Sequence, residues 1–233
     1  MRKLKFILLS LPLIFTISSC VAEPSAENNS RLNTVKSRNK LSCGVSGQLP
    51  GFSFVDTDGK YSGLDVDICR AVAAALFDNP DAVEFRNLNA KERFTAVQTG
   101  EVDILSRNTT WTMSRDTSVG MNFAPVVFYD GQGMMVRKNS KIKSLDNLKD
   151  NAICTQTGTT NEQNLADQMR KRGITYKPVV FEDINTAYAT YQQGRCDAVT
   201  SDKSQLISRR TTLPKPEEHV ILEAALSQEP LTP

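Results

Sequence analysis

Arg115, Asp202, Thr110 and the run Gly158-Thr159-Thr160 are the residues of this 233-residue chain whose types and settings suit recognition chemistry. An arginine guanidinium is a planar fork that meets a carboxylate through two parallel hydrogen bonds. A Gly-Thr-Thr run opening a helix offers backbone N–H groups and hydroxyls where the helix dipole favours an anion. Asp202 follows a short apolar strand, and open α/β sheets place their ligands at the carboxyl ends of strands. There it can pair with an ammonium. Thr110 adds a hydroxyl for the carboxylate, and the carbonyl around Asn108 an acceptor for the ammonium. Together these groups fit a small zwitterion such as an α-amino acid. Each also has a plain alternative: Arg115 as a solvated surface charge, Thr159 and Thr160 as helix caps, Asp202 as the cap of the helix after it. Trp111, the only tryptophan, is expected to pack beneath the site, and Asp65 and Asp67 to serve a helix N-terminus.

The elements that hold these groups repeat. Phe94-Thr-Ala-Val-Gln-Thr-Gly100-Glu-Val-Asp103 is echoed 94 residues later by Tyr188-Ala-Thr-Tyr-Gln-Gln-Gly194-Arg-Cys-Asp197, and in that register Asn108 matches Asp202. Leu41 to Val45 reads as a strand, Phe52 to Tyr61 as a hairpin turning at Asp58-Gly59, and Ile68, Val72, Ala75 and Leu76 as the apolar stripe of a helix. Asn89-Ala-Lys-Glu92 has the form of a capping box opening the next helix, which stops at Gly100. Strand and helix alternate again from Ala152 to Thr200. The pattern predicts an α/β protein of two lobes, each a small, mostly parallel sheet flanked by helices, with right-handed crossovers. The expected division is lobe 1 at 40–130, lobe 2 at 131–226, and the start of a return crossover at 227–233.

The first residues read as an export signal. Met1 to Lys5 is basic, Phe6 to Ile17 is mostly apolar but too short to span a bilayer, and Ile17-Ser18-Ser19-Cys20 closes the segment in the manner of a bacterial lipobox. A signal at 1–20 with lipidation of Cys20 is expected, against a plain secretory signal, and in either case the protein leaves the cytoplasm. Residues 21–39 are polar and suit a flexible tether. Without Arg2, Lys3 and Lys5 the chain keeps 25 basic residues against 26 acids, so the formal charge of +2 becomes −1. No basic stripe remains for nucleic acid.

Four further cysteines suit disulfides in an oxidising compartment and allow three pairings. Cys43–Cys69 and Cys154–Cys196 are preferred because each pair stays within one half of the chain. A zinc site is disfavoured, since no CxxC spacing exists and His219 is the only histidine.

The runs CGVSGQLPGFSF, YSGLDVDICRAVAAALF, RFTAVQTGEVDILSRNTTWTMSRD, YDGQGMM, TGTTNEQNLAD, GRCDAVTSD and LSQEPL are similar to those of the periplasmic binding component of general, polar L-amino-acid ABC importers. The resemblance extends from about Thr34 to the last residue. It implies the type II binding-protein fold, closing on an amino acid like a hinge, with an ABC permease as partner, no cofactor and a monomeric receptor. It places the carboxylate arginine on Arg115, the cleft hydroxyl on Thr110, the helix-terminal threonines on Thr159 and Thr160 and the ammonium-binding acid on Asp202. Leu49, Phe52 and Trp111 are expected in the side-chain pocket. Family members continue past the length of this chain, so an incomplete first lobe is implied, and a truncated fragment without working function is one alternative. A dehydratase or lyase on the same fold is another. It would need an acid–base pair, yet His219 lies away from the motif loops and no nucleophile–base pair is visible.

Overall fold

A computed structural model describes residues 30–233. The expected signal segment with Cys20, and residues 21–29 of the expected tether, lie outside the described residues.

The remainder of that tether is not extended. Residues Arg31–Arg38 form helix α1, capped by the Ser30 hydroxyl and closed by Asn39 in the left-handed conformation. Val35 is buried against Leu41 and Ala73, and Arg31 and Arg38 pair with Asp103, a nearly buried carboxylate. One apolar residue and two arginines thus fasten a polar segment that composition alone reads as a tether.

Lobe 1 continues with β1 (Leu41–Val45), β2 (Gln48–Leu49), β3 (Ser53–Val55), β4 (Tyr61–Ser62), α2 (Leu64–Phe77), β5 (Val83–Asn87), α3 (Arg93–Thr99), β6 (Ile104–Leu105) and α4 (Met113–Thr117). β1 lies between β5 and β6, parallel to both, and β2–β4 form a separate antiparallel sheet. The reciprocal Asn89–Glu92 bonds are present, Asn89 Oδ1 accepting from Glu92 N at 3.0 Å and Asn89 N donating to Glu92 Oε1 at 2.7 Å. They close the turn before α3, however, whose N-cap position is Glu92 with no side-chain cap bond.

β7 (Phe128–Arg137) carries the chain into lobe 2, followed by β8 (Ala152–Gln156), α5 (Thr160–Arg172), β9 (Lys177–Phe181), α6 (Ile184–Gln192), β10 (Ala198–Asp202), α7 (Lys203–Thr211), β11 (His219–Ile221) and β12 (Ser227–Leu231). β8 is parallel to β9 and β10, whereas β7 runs antiparallel to β10, β11 and β12. The crossing segment is therefore itself a sheet strand, because its backbone groups are satisfied by pairing on both edges. One face of this sheet packs Met134, Ile153 and Ala198 under Leu165 and Met169. The other packs Met135 and Val199 under Ala187, Tyr191 and Leu206. The disulfides are Cys43–Cys69, tying β1 to α2, and Cys154–Cys196, tying β8 to the turn before β10.

Candidate functional site

The polar run after β6 and the carboxyl end of β10 face each other between the lobes. Asn108 Nδ2 donates to Asp202 Oδ2 at 2.9 Å, and Thr110 Oγ1 lies 3.4 Å from Thr160 Oγ1. These two contacts cross a pocket also lined by Arg115, Thr159, Arg93, Arg107, Gln156 and Asn161, whose free volume is about 10 Å3. That is room for about one water. Anything larger than a water therefore enters only when the pairs spanning the gap separate.

Asp202 is 2% exposed and its side chain does not cap α7. Its second oxygen accepts from Asn161 Nδ2 at 3.0 Å. Burial pushes its pKa up to about 6, against which the hydrogen bonds from Asn161 and Asn108 pull downward. It makes no salt bridge among the described residues, although Arg93, Arg107 and Arg115 lie within its electrostatic reach, and a cation placed directly on it would stabilise its charged form.

Arg115 sits in the first turns of α4, whose N-cap is the Thr112 hydroxyl. Arg115 is 7% exposed, and its guanidinium donates from Nη1 to Thr110 O at 2.7 Å and lies 5.2 Å from the Phe94 ring centroid. It is held in place, not solvated, and burial lowers its pKa. Thr159 caps α5, accepting from Glu162 N at 3.1 Å, and donates to Gln156 O at 2.7 Å. Gly158, at φ +74°, makes the turn that lets α5 start directly after β8. A Cβ there would meet Ala90 O at 3.2 Å, so it sits against lobe 1 outside the pocket wall.

Leu49, Phe52 and Trp111 are not brought to the pocket. Leu49 and Phe52 bury against Leu231, beneath the crossing strands. Trp111 is 42% exposed and stacks on Phe123 with centroids 5.9 Å apart. It follows Thr110, whose carbonyl and hydroxyl turn inward, and the alternation of an extended chain sends the next side chain out. Asp65 is 3% exposed, with a pKa raised by burial to about 7 and Arg107 as the opposing charge, while Asp67 pairs with Arg70 at the surface.

Two further arginines line the pocket that residue-type reasoning passed over. Arg93 is 2% exposed, donates to Thr109 Oγ1 at 3.2 Å and reaches Gly158 O at 3.4 Å, and its Nε has no partner. Burial and the neighbouring Arg107 and Arg115 push its pKa well down. The signal was its place: a cation at the first position of a helix opposes the dipole and is unusual without a partner. Arg107 is likewise buried, donating to Leu88 O at 2.5 Å.

Two lobes, a pair of crossing strands and a charged pocket in the cleft define a type II binding protein. Residues 41–209 match the family model of bacterial extracellular solute-binding proteins, family 3, and the chain belongs to that family. It is 51% identical over 209 residues to the general L-amino acid-binding periplasmic protein AapJ of Rhizobium johnstonii, covering 90% of this chain and 61% of that one. It is 45% identical to the glutamate/glutamine/aspartate/asparagine-binding protein BztA of Rhodobacter capsulatus, covering 89% and 62%. A periplasmic binding protein of an ABC transporter from Brucella ovis, solved with glutathione bound, superposes with a TM-score of 0.84 at 51% identity, covering 88% of this chain and 64% of that one. The chain thus spans about three-fifths of the length of these relatives.

Proposed function

We propose that this protein binds L-amino acids outside the cytoplasm and delivers them to the permease of an ABC importer. The observation that carries the reading is the opposition of Asp202, a buried carboxylate with two amide partners and no salt bridge among the described residues, to Arg115, a buried guanidinium within its electrostatic reach. The ligand carboxylate lies on Arg115, Thr110 and the N-terminal turn of α5 at Thr160, and its ammonium lies on Asp202 in place of Asn108. Relatives described as binding L-amino acids support the same assignment.

In this reading lobe 1 is 40–130, with the return at 227–233, lobe 2 is 131–226, and β7 and β12 are the hinge. No helix among the described residues is long and apolar enough to cross a membrane. A signal at 1–20 and lipidation of Cys20 would hold a monomeric receptor at the membrane surface. The mass of the mature protein tests the anchor.

The function is tested by titration calorimetry of the purified chain with each L-amino acid, beside Arg115→Ala. Binding by the parent and its loss in the variant are expected. No heat with any amino acid, or unchanged affinity in Arg115→Ala, would sink the assignment.

A further inference from the structure

Glu229 is a buried acid to which the ligand reading gives no task. It lies on β12 in the run Leu226-Ser-Gln-Glu-Pro-Leu231 and is 2% exposed. Asn164 Nδ2, from α5, donates to its Oε1 at 3.0 Å, and the Ser227 hydroxyl donates to the same oxygen. Both donors are neutral. Oε2 is buried and accepts no hydrogen bond among the described residues. A buried carboxylate held in this way depends on a cation within reach.

The strand pairing points to that cation. The end of β12 runs antiparallel to the ligand loop of lobe 1: Trp111 N donates to Pro230 O at 2.8 Å, Thr232 N donates to Thr109 O at 3.0 Å, and Thr110 lies opposite Leu231. Opposed residues of such a pair share a face, and so do residues two apart along one strand. Glu229 therefore shares the face of Leu231 and Thr110. Arg115 is fastened to the same segment through its Nη1 and Thr110 O. Of the acids whose charge acts on Arg115, Glu229 acts more strongly than Asp202, and Glu229 acts on Asp202 as well.

Arg115 and Asp202 are opposite charges on facing walls of a pocket with room for about one water. In so dry a space such a pair gains by meeting, and once met neither is open to a ligand. Asn161 and Asn108 engage Asp202, while on the other wall Thr110 O takes one N–H of Arg115. We infer that Glu229 is a positioning residue of the carboxylate site: its charge holds the Arg115 guanidinium on lobe 1 and keeps it off Asp202 before a ligand enters. It acts through Arg115 and does not itself line the pocket. Anchored by Asn164, it ties a crossing strand to the groups on both walls. This rests on the amino-acid reading of the pocket.

The charged groups around Asp202 are Asp130 on β7, Glu229 on β12, Arg93 on α3, and Arg107 and Arg115 beyond β6. Lys203, next in the chain, turns its Nζ to Glu223 O. The test is calorimetry with L-alanine and L-glutamine at pH 7 and pH 5. It compares the parent with Glu229→Gln, which keeps the shape and the acceptor oxygen, and with Glu229→Asp, which keeps the charge. The parent is expected to bind both, about tenfold more weakly at pH 5, as a group near 6 requires. Glu229→Gln should bind about 10- to 30-fold more weakly than the parent at pH 7, within the ordinary range of coupling between sites. Its own fall toward pH 5 should shrink to about twofold or less, because pairing with Arg115 and loss of the Glu229 charge return Asp202 toward the usual carboxylate range. Glu229→Asp should stay within about threefold of the parent, about half of one tenfold step in free energy. Undiminished affinity in Glu229→Gln overturns the proposal. So does a loss that leaves the pH fall intact or that Glu229→Asp shares in full, since the residue would then act by shape. A Glu229→Gln chain without a cooperative melt also overturns it, making the acid a folding residue. Absence of binding by the parent removes the amino-acid reading itself, and this one with it.

Discussion

The two lobes are built on one plan and solve the same problems with different residues. Asp103 N donates to Ser42 O at 2.8 Å and Asp103 Oδ2 accepts from Ser42 N at 2.7 Å. In lobe 2 Asp197 N donates to Ala152 O at 2.8 Å and Asp197 Oδ2 accepts from Ala152 N at 2.8 Å. In this register Ile104 opposite Cys43 corresponds to Ala198 opposite Ile153, so Gly44 falls where lobe 2 has Cys154 and Val102 where it has Cys196. A Cβ on Gly44 would meet Leu88 at 2.6 Å and Val102 at 3.4 Å. Lobe 1 packs aliphatic side chains over a glycine where lobe 2 makes a disulfide.

At the cleft the difference becomes functional. In lobe 2 a three-residue turn after β8 opens α5 directly, presenting a helix N-terminus with Thr159 and Thr160. In lobe 1 the β2–β4 hairpin intervenes between β1 and α2, so that helix start is occupied and the lobe supplies arginine side chains instead. Arg93 stands where the register gives lobe 2 Ala187, and Asn108 where it gives Asp202. On the proposed reading, the shared plan has diverged so that different groups face the two ends of a zwitterion.

The largest consequence expected of this separation lies in the pair that meets across the gap. Removing the acid leaves the ammonium without a counter-charge, and truncating one partner of a buried charge pair costs about 2–5 kcal/mol. Asp202→Ala is therefore expected to lower amino-acid affinity about 1,000-fold, and Asn108→Ala about tenfold or less. Equal effects in calorimetry would mean that the two lobes are interchangeable at the site.

The disulfides give the next effect. The bridges close intervals of 26 residues in lobe 1 and 42 in lobe 2. Chain entropy then assigns about 3.5 kcal/mol to Cys43–Cys69 and about 4 kcal/mol to Cys154–Cys196. Urea midpoints of the two double-alanine variants check the order. A larger loss on removing Cys43–Cys69 would show that the smaller sheet of lobe 1 depends on its bridge for packing as well as for chain entropy.

Much of this was legible in the sequence because it rests on local rules. The Asn89–Glu92 box, the Gly100 stop and the repeat ending in Asp103 and Asp197 are near-neighbour patterns that the fold keeps. Asn108 opposite Asp202 could be read from register alone. Helix α1 was not legible, because what holds it is Asp103, distant in sequence and pairing with Arg31 and Arg38. Arg93 and Arg107 escaped for a similar reason: buried arginines are exceptional, and the groups that hold these, Thr109 and Gly158 O for Arg93 and Leu88 O for Arg107, are distant in sequence. Leu49, Phe52 and Trp111 were drawn toward the pocket by type, yet Leu49 on β2 and Phe52 in the turn after it pack on Leu231, and Trp111 stacks on Phe123.

Asp103 and Asp197 provide a smaller contrast. Each alanine variant strands one backbone N–H, at about 1–3 kcal/mol. Asp103→Ala also removes the ion pairs of both α1 arginines, leaving Arg31 only its hydrogen bond to Gly100 O and Arg38 its bond to Lys40 O, so it should cost more than Asp197→Ala and expose residues 31–39 to limited proteolysis. Melting midpoints and digestion patterns that do not distinguish the variants would show that α1 is held by Val35 and the Arg31–Gly100 bond without Asp103.

The last contrast is in pH. Asp65 in lobe 1 and Asp202 in lobe 2 both have folded-state pKa values raised by burial, to about 7 and about 6, above the value near 3.9 of an unfolded chain. The folded state therefore holds these protons more tightly than the unfolded one. Their contribution to stability is fully present below about pH 4 and is lost as pH rises through the folded values. The ligand-free melting midpoint should thus fall between pH 5 and pH 7.5, and Asp65→Asn should remove the upper part of that fall. Binding has the opposite sign, because an ammonium requires the charged form of Asp202. Amino-acid affinity should drop about tenfold from pH 7 to pH 5, following protonation of a group with its pKa near 6, while Asp65→Asn leaves that drop in place. A binding profile that flattens in Asp65→Asn would transfer the ligand-linked proton from lobe 2 to lobe 1, and with it the role of counter-charge to the ammonium.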